Sequence, residues 1–135
     1  MNILRQWFII TLLQMQLLGC AMVGIGGNDV EILKERAQAR WEALIKKDWD
    51  AAYQYELPAY RQTHDVNQFR SKFGSKLQWK HIEAKNAVIV QENKTADVKL
   101  NLAYQILLSD GVPMDNEVEI NERWVKQEGD WWIAN

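Results

Sequence analysis

Hydrophobic residues follow a helical period in the first half of the chain and a strand period in the second half. After residue 28, apolar side chains recur every three or four positions with polar side chains between them, which is typical of an amphipathic helix. The apolar positions of this helix are Leu33, Ala37, Trp41, Leu44 and Ile45. Asn28 and Glu31 have the spacing of a capping box and predict its start, and Lys46 and Lys47 suit its negative end.

Two shorter helices are predicted next. Asp48 is an N-cap residue in front of a second helix, which we expect Pro58 to end because proline disfavours helical backbone in the residue before it. Asp65 predicts the start of a third helix that ends at Gly74. Three helices therefore precede the change of period.

After Gly74 the hydrophobic period is two. Residues 96–108 alternate most clearly, which predicts a half-buried strand of an antiparallel sheet. At about 3.4 Å per residue this strand would extend roughly 44 Å, longer than a domain of this size is wide, so it must bend. The other predicted strands are residues 77–91, 117–127 and 131–135. The expected fold is α+β, with three N-terminal helices packed on one face of a strongly curved antiparallel sheet of about four strands.

The first 19 residues differ from the rest, because they are apolar and carry a single charge, Arg5. The apolar run from Trp7 to Leu18 is shorter than the roughly 20 residues that a transmembrane helix needs. A charged start, an apolar middle and a small-residue exit are the features of a secretory signal peptide. We therefore predict a signal peptide at residues 1–19.

That segment ends in Leu17-Leu18-Gly19-Cys20, which resembles the lipobox of bacterial lipoproteins. The resemblance implies cleavage before Cys20 and attachment of acyl chains to it, so that the protein is anchored to a membrane without spanning it. Ala21, where an Asp would imply inner-membrane retention, implies the outer membrane of the bacterial envelope, facing the periplasm. The alternative is that Cys20 is a small buried hydrophobe. Residues 20–28 are then a lipidated, glycine-rich tether, and residues 29–135 are the folded domain.

Composition excludes several classes of function. The 135 residues hold 16 Lys and Arg against 18 Asp and Glu, so the net charge of −2 argues against nucleic acid as a partner. Cys20 is the only cysteine, which excludes a disulfide framework and a Cys-rich metal site. His64 and His81 lack a third ligand at a fixed spacing. We therefore predict neither a metal nor a cofactor.

Two groups of residues carry a family resemblance. The first is Arg36-Ala37-x-x-Arg40-Trp41-x-x-Leu44, then Asp48-Trp49-x-x-Ala52-Tyr53, then Pro58-x-Tyr60-Arg61; the second is Glu122-x-Trp124-Val125-Lys126-x-x-Gly129-x-Trp131-Trp132. Together they resemble the nuclear-transport-factor-2-like (NTF2-like, SnoaL-like) superfamily. The resemblance implies a cone-shaped fold that encloses a pocket. Some members are enzymes, such as ketosteroid isomerase and scytalone dehydratase, and others bind ligands or proteins.

Glu122 is the best candidate for a catalytic base. It shares the expected inward face of its strand with Ile120 and Trp124, and a pocket enzyme needs such a carboxylate beside an oxyanion donor or a partner acid. The alternative, an ion pair or a place at the rim of the sheet, is favoured because buried carboxylates are usually paired. The arginines available for pairing are Arg36, Arg40 and Arg61.

Aromatic side chains are expected to line a pocket together with this carboxylate. The predicted pocket residues are Trp41, Tyr53, Tyr60, Tyr104, Glu122 and Trp124. The tyrosine hydroxyls are candidate hydrogen-bond donors, although tyrosines at such positions usually pack their rings in the core and direct the hydroxyl to a rim.

Three functions are consistent with the sequence. The leading hypothesis is a noncatalytic envelope lipoprotein whose domain binds a small apolar ligand or a protein partner. The second is an assembly component that forms a homodimer or docks through the outer face of its sheet. The third is an isomerase-like or dehydratase-like enzyme with Glu122 as its base, and it ranks last because the chain has no recognisable set of catalytic partners.

Overall fold

The computed structural model describes the backbone of residues 25–90 and 94–134, and in this part of the chain four helices precede four strands. The helices are α1 (Ile25–Ile45), α2 (Trp49–Tyr53), α3 (Pro58–Thr63) and α4 (Val66–Ser71). The strands are β1 (Gln78–Val90), β2 (Thr95–Leu107), β3 (Pro113–Gln127) and β4 (Asp130–Ile133). The strands form one antiparallel sheet in the order β1-β2-β3-β4.

The prediction of three helices packed on a strongly curved sheet is wrong. The additional helix is α3, and it begins at the proline that the sequence predicts as the end of α2. In the structure α2 already ends at Tyr53, and Pro58 occupies the first turn of α3. Proline suits that position, because the N–H it lacks would have no partner there and its φ is already helical. The four-helix arrangement therefore matches the predicted one only loosely.

α1 starts earlier than predicted. It begins at Ile25, so residues 25–28 of the predicted tether are helical and Asn28 lies within the helix instead of capping it. A capping pattern shows where a helix is able to begin, but the preceding residues are still free to extend it. The buried residues Leu33, Ala37 and Leu44 follow the predicted apolar stripe, and α1 packs mainly on β1.

α1 ends in a Schellman motif with a lysine where glycine is usual. The N–H of Lys47 donates to the carbonyl of Leu44 at 3.0 Å, and the N–H of Asp48 donates to the carbonyl of Ala43 at 2.9 Å. Lys47 has a φ of 59°, in the left-handed region that side chains disfavour. The side chain of Asp48 then caps α2, as predicted, by accepting from the N–H of Ala51 at 3.1 Å.

α4 has the predicted N-cap. Asp65 and Gln68 form a capping box in which each side chain accepts from the backbone N–H of the other residue at 2.8 Å. Phe69 of this helix is fully buried. With Leu44 and Ala52 it forms a small core cluster that joins α4 to α1 and α2.

The register of the sheet decides which side chains face the helices. Four residues of β2 form its buried row: Ala96, Val98, Leu100 and Leu102. Their partners in β3 are Trp124, Glu122, Ile120 and Val118. The opposite side of the sheet, which we call the outer face, carries the ion pairs Asp97–Arg123 and Lys99–Glu119.

β1 departs from strict alternation. Its pairing with β2 shifts by one residue between Trp79 and His81, because Trp79 pairs with Tyr104 and His81 with Ala103. Trp79 and His81 are two positions apart in the sequence, yet they lie on opposite faces. His81 is exposed.

Candidate functional site

Glu122 lies in a buried charge network between α1 and β3. Its Oε1 accepts from Nη1 of Arg40 at 2.8 Å and from Nε1 of Trp41 at 2.7 Å. Its Oε2 accepts from Nε1 of Trp124 at 3.2 Å. Of the three candidate arginines, the structure therefore places Arg40 beside this carboxylate.

Arg40 also approaches a second carboxylate. Its Nη2 lies 3.4 Å from Oε1 of Glu56, which is fully buried after α2, and Arg40 itself is only 5% exposed. One buried cation therefore lies between two acidic side chains. Removal of one partner from such a group leaves another charge buried without compensation, which is strongly destabilising.

Burial raises the pKa of Glu122 above its ordinary value, and this effect outweighs Arg40 and the two indole N–H donors, which lower that pKa. The negative charge of Glu56 adds to the rise in the pKa of Glu122. Raised carboxylate pKa values occur both in catalytic acids and in structural networks. The geometry around the carboxylate has to distinguish between the two roles.

That geometry supports a structural role for Glu122. Both of its oxygens already accept hydrogen bonds, whereas a general base needs a substrate proton within hydrogen-bond reach. Three surface cavities, of about 710, 620 and 520 Å³, are formed by the described residues, and none of them is lined by Glu122. These cavities give a substrate no approach to the carboxylate.

The three tyrosines predicted to line a pocket with Glu122 do not reach it. Tyr53 donates its hydroxyl to the carbonyl of His64 and lines the 520 Å³ cavity. Tyr60 stacks on His64 with ring centroids 4.3 Å apart. Tyr104 lines the 620 Å³ cavity. Only the tryptophans of the predicted pocket join the carboxylate, and they do so as packed hydrogen-bond donors.

The 710 Å³ cavity opens where α1 ends, and we call it the helix-end cavity. Its apolar wall is built by segments that are far apart in the sequence. The wall residues are Leu44 from α1, Trp49 from α2, Phe73 from the loop after α4, Trp79 from β1 and Leu107 from β2. The cavity therefore exists only once the helices and the sheet have packed together.

The aromatic rings of this wall pack against one another. Trp49 stacks on Phe73 with ring centroids 5.7 Å apart, and Phe73 meets Trp79 edge to face at 5.7 Å. Trp79 in turn meets Trp41 edge to face at 5.4 Å. Such aromatic pairs contribute about 0.5–1.5 kcal/mol each beyond the burial of their area. The wall is therefore formed before any ligand binds.

Three cations line the helix-end cavity, and no carboxylate of the described residues does so. They are Lys47, Arg70 and Lys76. The guanidinium of Arg70 lies 5.8 Å from the centroid of the Trp49 ring, within the range of cation–π attraction. Within the described ranges, none of the three forms an ion pair. The lining is therefore positive in a chain whose net charge is −2.

No pattern in the sequence predicted the helix-end cavity. Lys47 was interpretable only through the helix dipole, and Trp49 and Phe73 only as packing residues of short helices. One signal in the sequence was the absence of glycine between Ile45, at the end of α1, and Asp48, the N-cap of α2. A turn this short needs a residue with positive φ, and Lys47 takes that position.

The remaining expectations concern the lipid anchor, metal ions and a membrane-spanning helix. Cys20 and the predicted signal peptide lie outside the described residues, so lipidation of Cys20 stays a prediction. Where the chain is described, no three His, Cys, Asp or Glu side chains are grouped so that they could hold a metal ion. No helix of that part is long and apolar enough to cross a bilayer.

No protein-family model matches the chain, and no curated protein sequence matches it. Among solved structures it is similar to a SEC-C motif containing protein from Rhodopseudomonas palustris, with 13% identity and a TM-score of 0.55 over 74% of this chain and 73% of that one. It is also similar to a SEC-C motif containing protein from Psychrobacter arcticus, with 14% identity and a TM-score of 0.55 over 78% of this chain and 59% of that one. At these identities the similarity shows the fold alone.

These neighbours correct the predicted family. They are SEC-C motif containing proteins, so the identification of the folded domain as NTF2-like or SnoaL-like is wrong. The comparisons give no support for a lipoprotein signal or an outer-membrane protein. The motifs that carried the resemblance consist mainly of packing residues such as Ala37 and Trp124, which are fully buried here. Packing residues of this kind are shared by unrelated domains in which helices cover a sheet.

Proposed function

We propose that the domain binds a small, elongated apolar ligand in the helix-end cavity and does not catalyse a reaction on it. The observation that carries this proposal is the cavity itself. Its volume of about 710 Å³ falls within the roughly 300–1,000 Å³ typical of ligand sites, and Trp49, Phe73 and Trp79 supply the apolar and aromatic wall that such sites have.

Two properties of the cavity support binding. The packed rings of its wall are already ordered, so a ligand would not have to immobilise them. Leu77 and Leu107 line the cavity and remain 45% and 71% exposed. A ligand that covers them would gain about 25 cal/mol for each Å² of apolar surface removed from water.

A pair of exposed leucines tests the proposal. In the purified full chain, Leu77→Asp places a charge in the cavity lining, whereas Leu108→Asp makes the same change at a residue that is 41% exposed and outside that lining. The probe is 1-dodecanol, with binding followed by tryptophan fluorescence. We expect Leu77→Asp to weaken binding about tenfold, because a carboxylate beside an apolar chain is desolvated. Leu108→Asp should leave binding unchanged.

Mass spectrometry of organic extracts from the wild-type chain provides a second measurement. A retained apolar molecule that is lost in Leu77→Asp and kept in Leu108→Asp supports the proposal. A wild-type chain that binds neither 1-dodecanol nor dodecanoate, and that retains nothing, contradicts it.

A second candidate function is self-association through the end of the β2–β3 hairpin. Five of the seven large apolar residues exposed in the described structure fall within it: Leu107, Leu108, Val112, Met114 and Val118. Clustered exposed apolar residues are typical of interaction surfaces. Sedimentation at increasing concentration should show a dimer that Val112→Asp disrupts, and a wild-type chain that stays monomeric contradicts this candidate.

For its location, we propose attachment to a membrane of the bacterial cell envelope through acyl chains on Cys20. The support is the sequence Leu17-Leu18-Gly19-Cys20 alone. Cys20→Ala should change the mass of the mature protein and release it from the membrane fraction. If mass and fractionation stay as in the wild type, the proposal is wrong.

A further inference from the structure

The helix-end cavity combines an apolar wall with cations that lack acidic partners. Elsewhere in the described chain six cations form ion pairs: Lys34, Arg40, Lys85, Lys99, Arg123 and Lys126. Nine other cations of the described chain form none, and three of these nine, Lys47, Arg70 and Lys76, line this one cavity. The lining therefore carries three positive charges and no negative charge where an apolar ligand would lie.

We propose that the helix-end cavity takes anionic amphiphiles, whose acidic head group lies against Lys47, Arg70 and Lys76 and whose apolar chain lies along the aromatic wall. This inference rests on the ligand binding proposed above and names the chemical class of that ligand. Charge-assisted hydrogen bonds to a carboxylate or a phosphate are about twice as strong as neutral ones. The cations would therefore give the cavity a preference for acidic head groups, which its apolar wall cannot provide.

The backbone of Lys47 is a separate observation in favour of this preference. Its φ of 59° lies in the left-handed region, and the hydrogen bonds of Lys47 and Asp48 to the last turn of α1 hold it there. Glycine would adopt this conformation without strain. Strained residues persist where the surroundings over-determine them, and they cluster at binding sites. A cationic side chain therefore lines the cavity at a position that glycine would occupy with less strain.

The alternative interpretation is that these are ordinary solvated surface charges. Two observations weigh against it. The guanidinium of Arg70 lies over the ring of Trp49, so its charge is next to the aromatic wall of the cavity. The 16 lining residues also include no Asp or Glu, although acidic residues outnumber basic ones in the whole chain by 18 to 16. Scattered surface charges would bring acidic residues into such a lining.

Three probes with the same apolar chain separate the head-group preference from apolar binding. They are dodecanoate, 1-dodecanol and dodecyltrimethylammonium, each used with the purified full chain below the concentration at which it forms micelles. We expect dodecanoate to bind about tenfold more tightly than 1-dodecanol at low salt. The difference should shrink as salt is added, because the Debye length falls to about 10 Å at 0.1 M. The cationic probe should bind most weakly.

Lys47→Gly removes the ammonium and suits the left-handed backbone, so it leaves the end of α1 intact. We expect it to weaken dodecanoate binding about three- to tenfold and to leave 1-dodecanol binding unchanged. Glu128→Gly is the matched backbone control, because Glu128 has a φ of 53° in the β3–β4 turn, outside the cavity. Lys99→Gln is the matched charge control on the outer face. Neither control should change the affinity for any probe.

The outcomes distinguish this inference from the function on which it rests. If 1-dodecanol or the cationic probe binds as tightly as dodecanoate, the anionic preference is wrong while apolar binding stands. If no probe binds, both proposals fail. If Lys47→Gly weakens all three probes equally, Lys47 shapes the cavity without selecting charge, and the inference is overturned. Selective loss of dodecanoate binding in Lys47→Gly, absent from both controls, supports it.

Discussion

Arg40 and Lys47 lie seven residues apart, in α1 and just after its end, but their charges have opposite surroundings. Arg40 is 5% exposed and lies between the carboxylates of Glu122 and Glu56. Lys47 is exposed, and it lines a cavity that no described carboxylate shares. The buried charge of Arg40 is neutralised and holds elements of the fold together, whereas the exposed charge of Lys47 has no carboxylate partner and is available to a ligand.

A similar contrast extends across β3. Glu122 and Arg123 are adjacent, so they point to opposite faces of the sheet. Glu122 points towards α1, where burial raises its pKa. Arg123 donates two hydrogen bonds to Asp97 on the outer face, at 2.7 and 2.9 Å, and these lower the pKa of Asp97. The arginine lowers the pKa of its carboxylate in both pairs, and depth in the structure decides whether desolvation outweighs that effect.

Arg40→Met should have the largest effect, because Arg40 is the shared cation of the buried network. It leaves Glu122 and Glu56 buried without their shared cation, and the loss of one partner from a buried ion pair costs about 3–5 kcal/mol. Urea unfolding of the full chain measures the loss. Lys99→Met, which breaks the exposed pair with Glu119, is the matched control. If both variants lose equally little stability, the network does not hold α1 to the sheet.

Glu122→Gln should cost less, about 1–3 kcal/mol at neutral pH. The amide keeps an oxygen that can accept from Arg40 and Trp41, but it presents an NH₂ group to the indole N–H of Trp124. Urea unfolding measures this loss as well. A neutral result would show that the carboxylate charge is not needed to hold these donors.

The pH dependence of the Glu122→Gln cost has a definite sign. Because the folded-state pKa of Glu122 is raised, the folded chain holds this proton more tightly than the unfolded chain does. The resulting stabilisation is complete below the unfolded-state pKa and is lost as the pH rises through the raised pKa. The cost of Glu122→Gln should therefore shrink as the pH rises from about 4, the ordinary range of a glutamate, through the raised pKa. A cost that grows would show that Arg40 and the indoles outweigh burial.

Several local features of the fold could be predicted, because neighbouring residues decide each of them. Asp65 and Gln68 are three residues apart, and the capping box that they form involves no other segment. The alternation of residues 96–108 identified the buried face of β2 in the same way, since successive side chains of a strand point to opposite sides.

Features that depend on distant contacts could not be predicted. Pro58 is equally able to end one helix or begin another, and the preceding residues alone do not decide between them. The alternation of β3 placed Glu122 on the inner face but did not identify its partner, since Arg40 is 82 residues away. The helix-end cavity is still harder to foresee, because its wall needs α1, α2, β1, β2 and the loop after α4 at once.

Lys47→Gly should raise the stability of the chain slightly, in contrast to the loss expected for Arg40→Met. The left-handed backbone costs a residue with a side chain about 1–2 kcal/mol. Glycine offsets part of this gain through its greater freedom in the unfolded chain, about 0.4–1 kcal/mol. Lys46→Gly, one residue earlier and without positive φ, should lower stability instead. A fall with Lys47→Gly would mean that the side chain makes a stabilising contact.

Asp97→Asn should have the smallest effect. It removes the carboxylate of a pair whose side chains are 58% exposed for Arg123 and 41% exposed for Asp97, where water and salt screen the attraction. Because the pKa of Asp97 is lowered, its stabilising contribution is present above the ordinary pKa of an aspartate and is lost as the pH falls through the lowered value. Wild type and variant should therefore converge at acid pH.

Unfolding at low salt and at about 0.15 M salt tests this exposed side of the comparison. At the higher salt the difference between Asp97→Asn and wild type should lie within the uncertainty of the measurement, and at low salt the variant should be slightly less stable. If Asp97→Asn lost as much unfolding free energy as Glu122→Gln, burial would not decide how much an ion pair contributes to stability. The bidentate geometry of the Asp97–Arg123 pair would then stabilise the fold without burial. An exposed ion pair of β3 would in that case contribute as much to stability as the buried one.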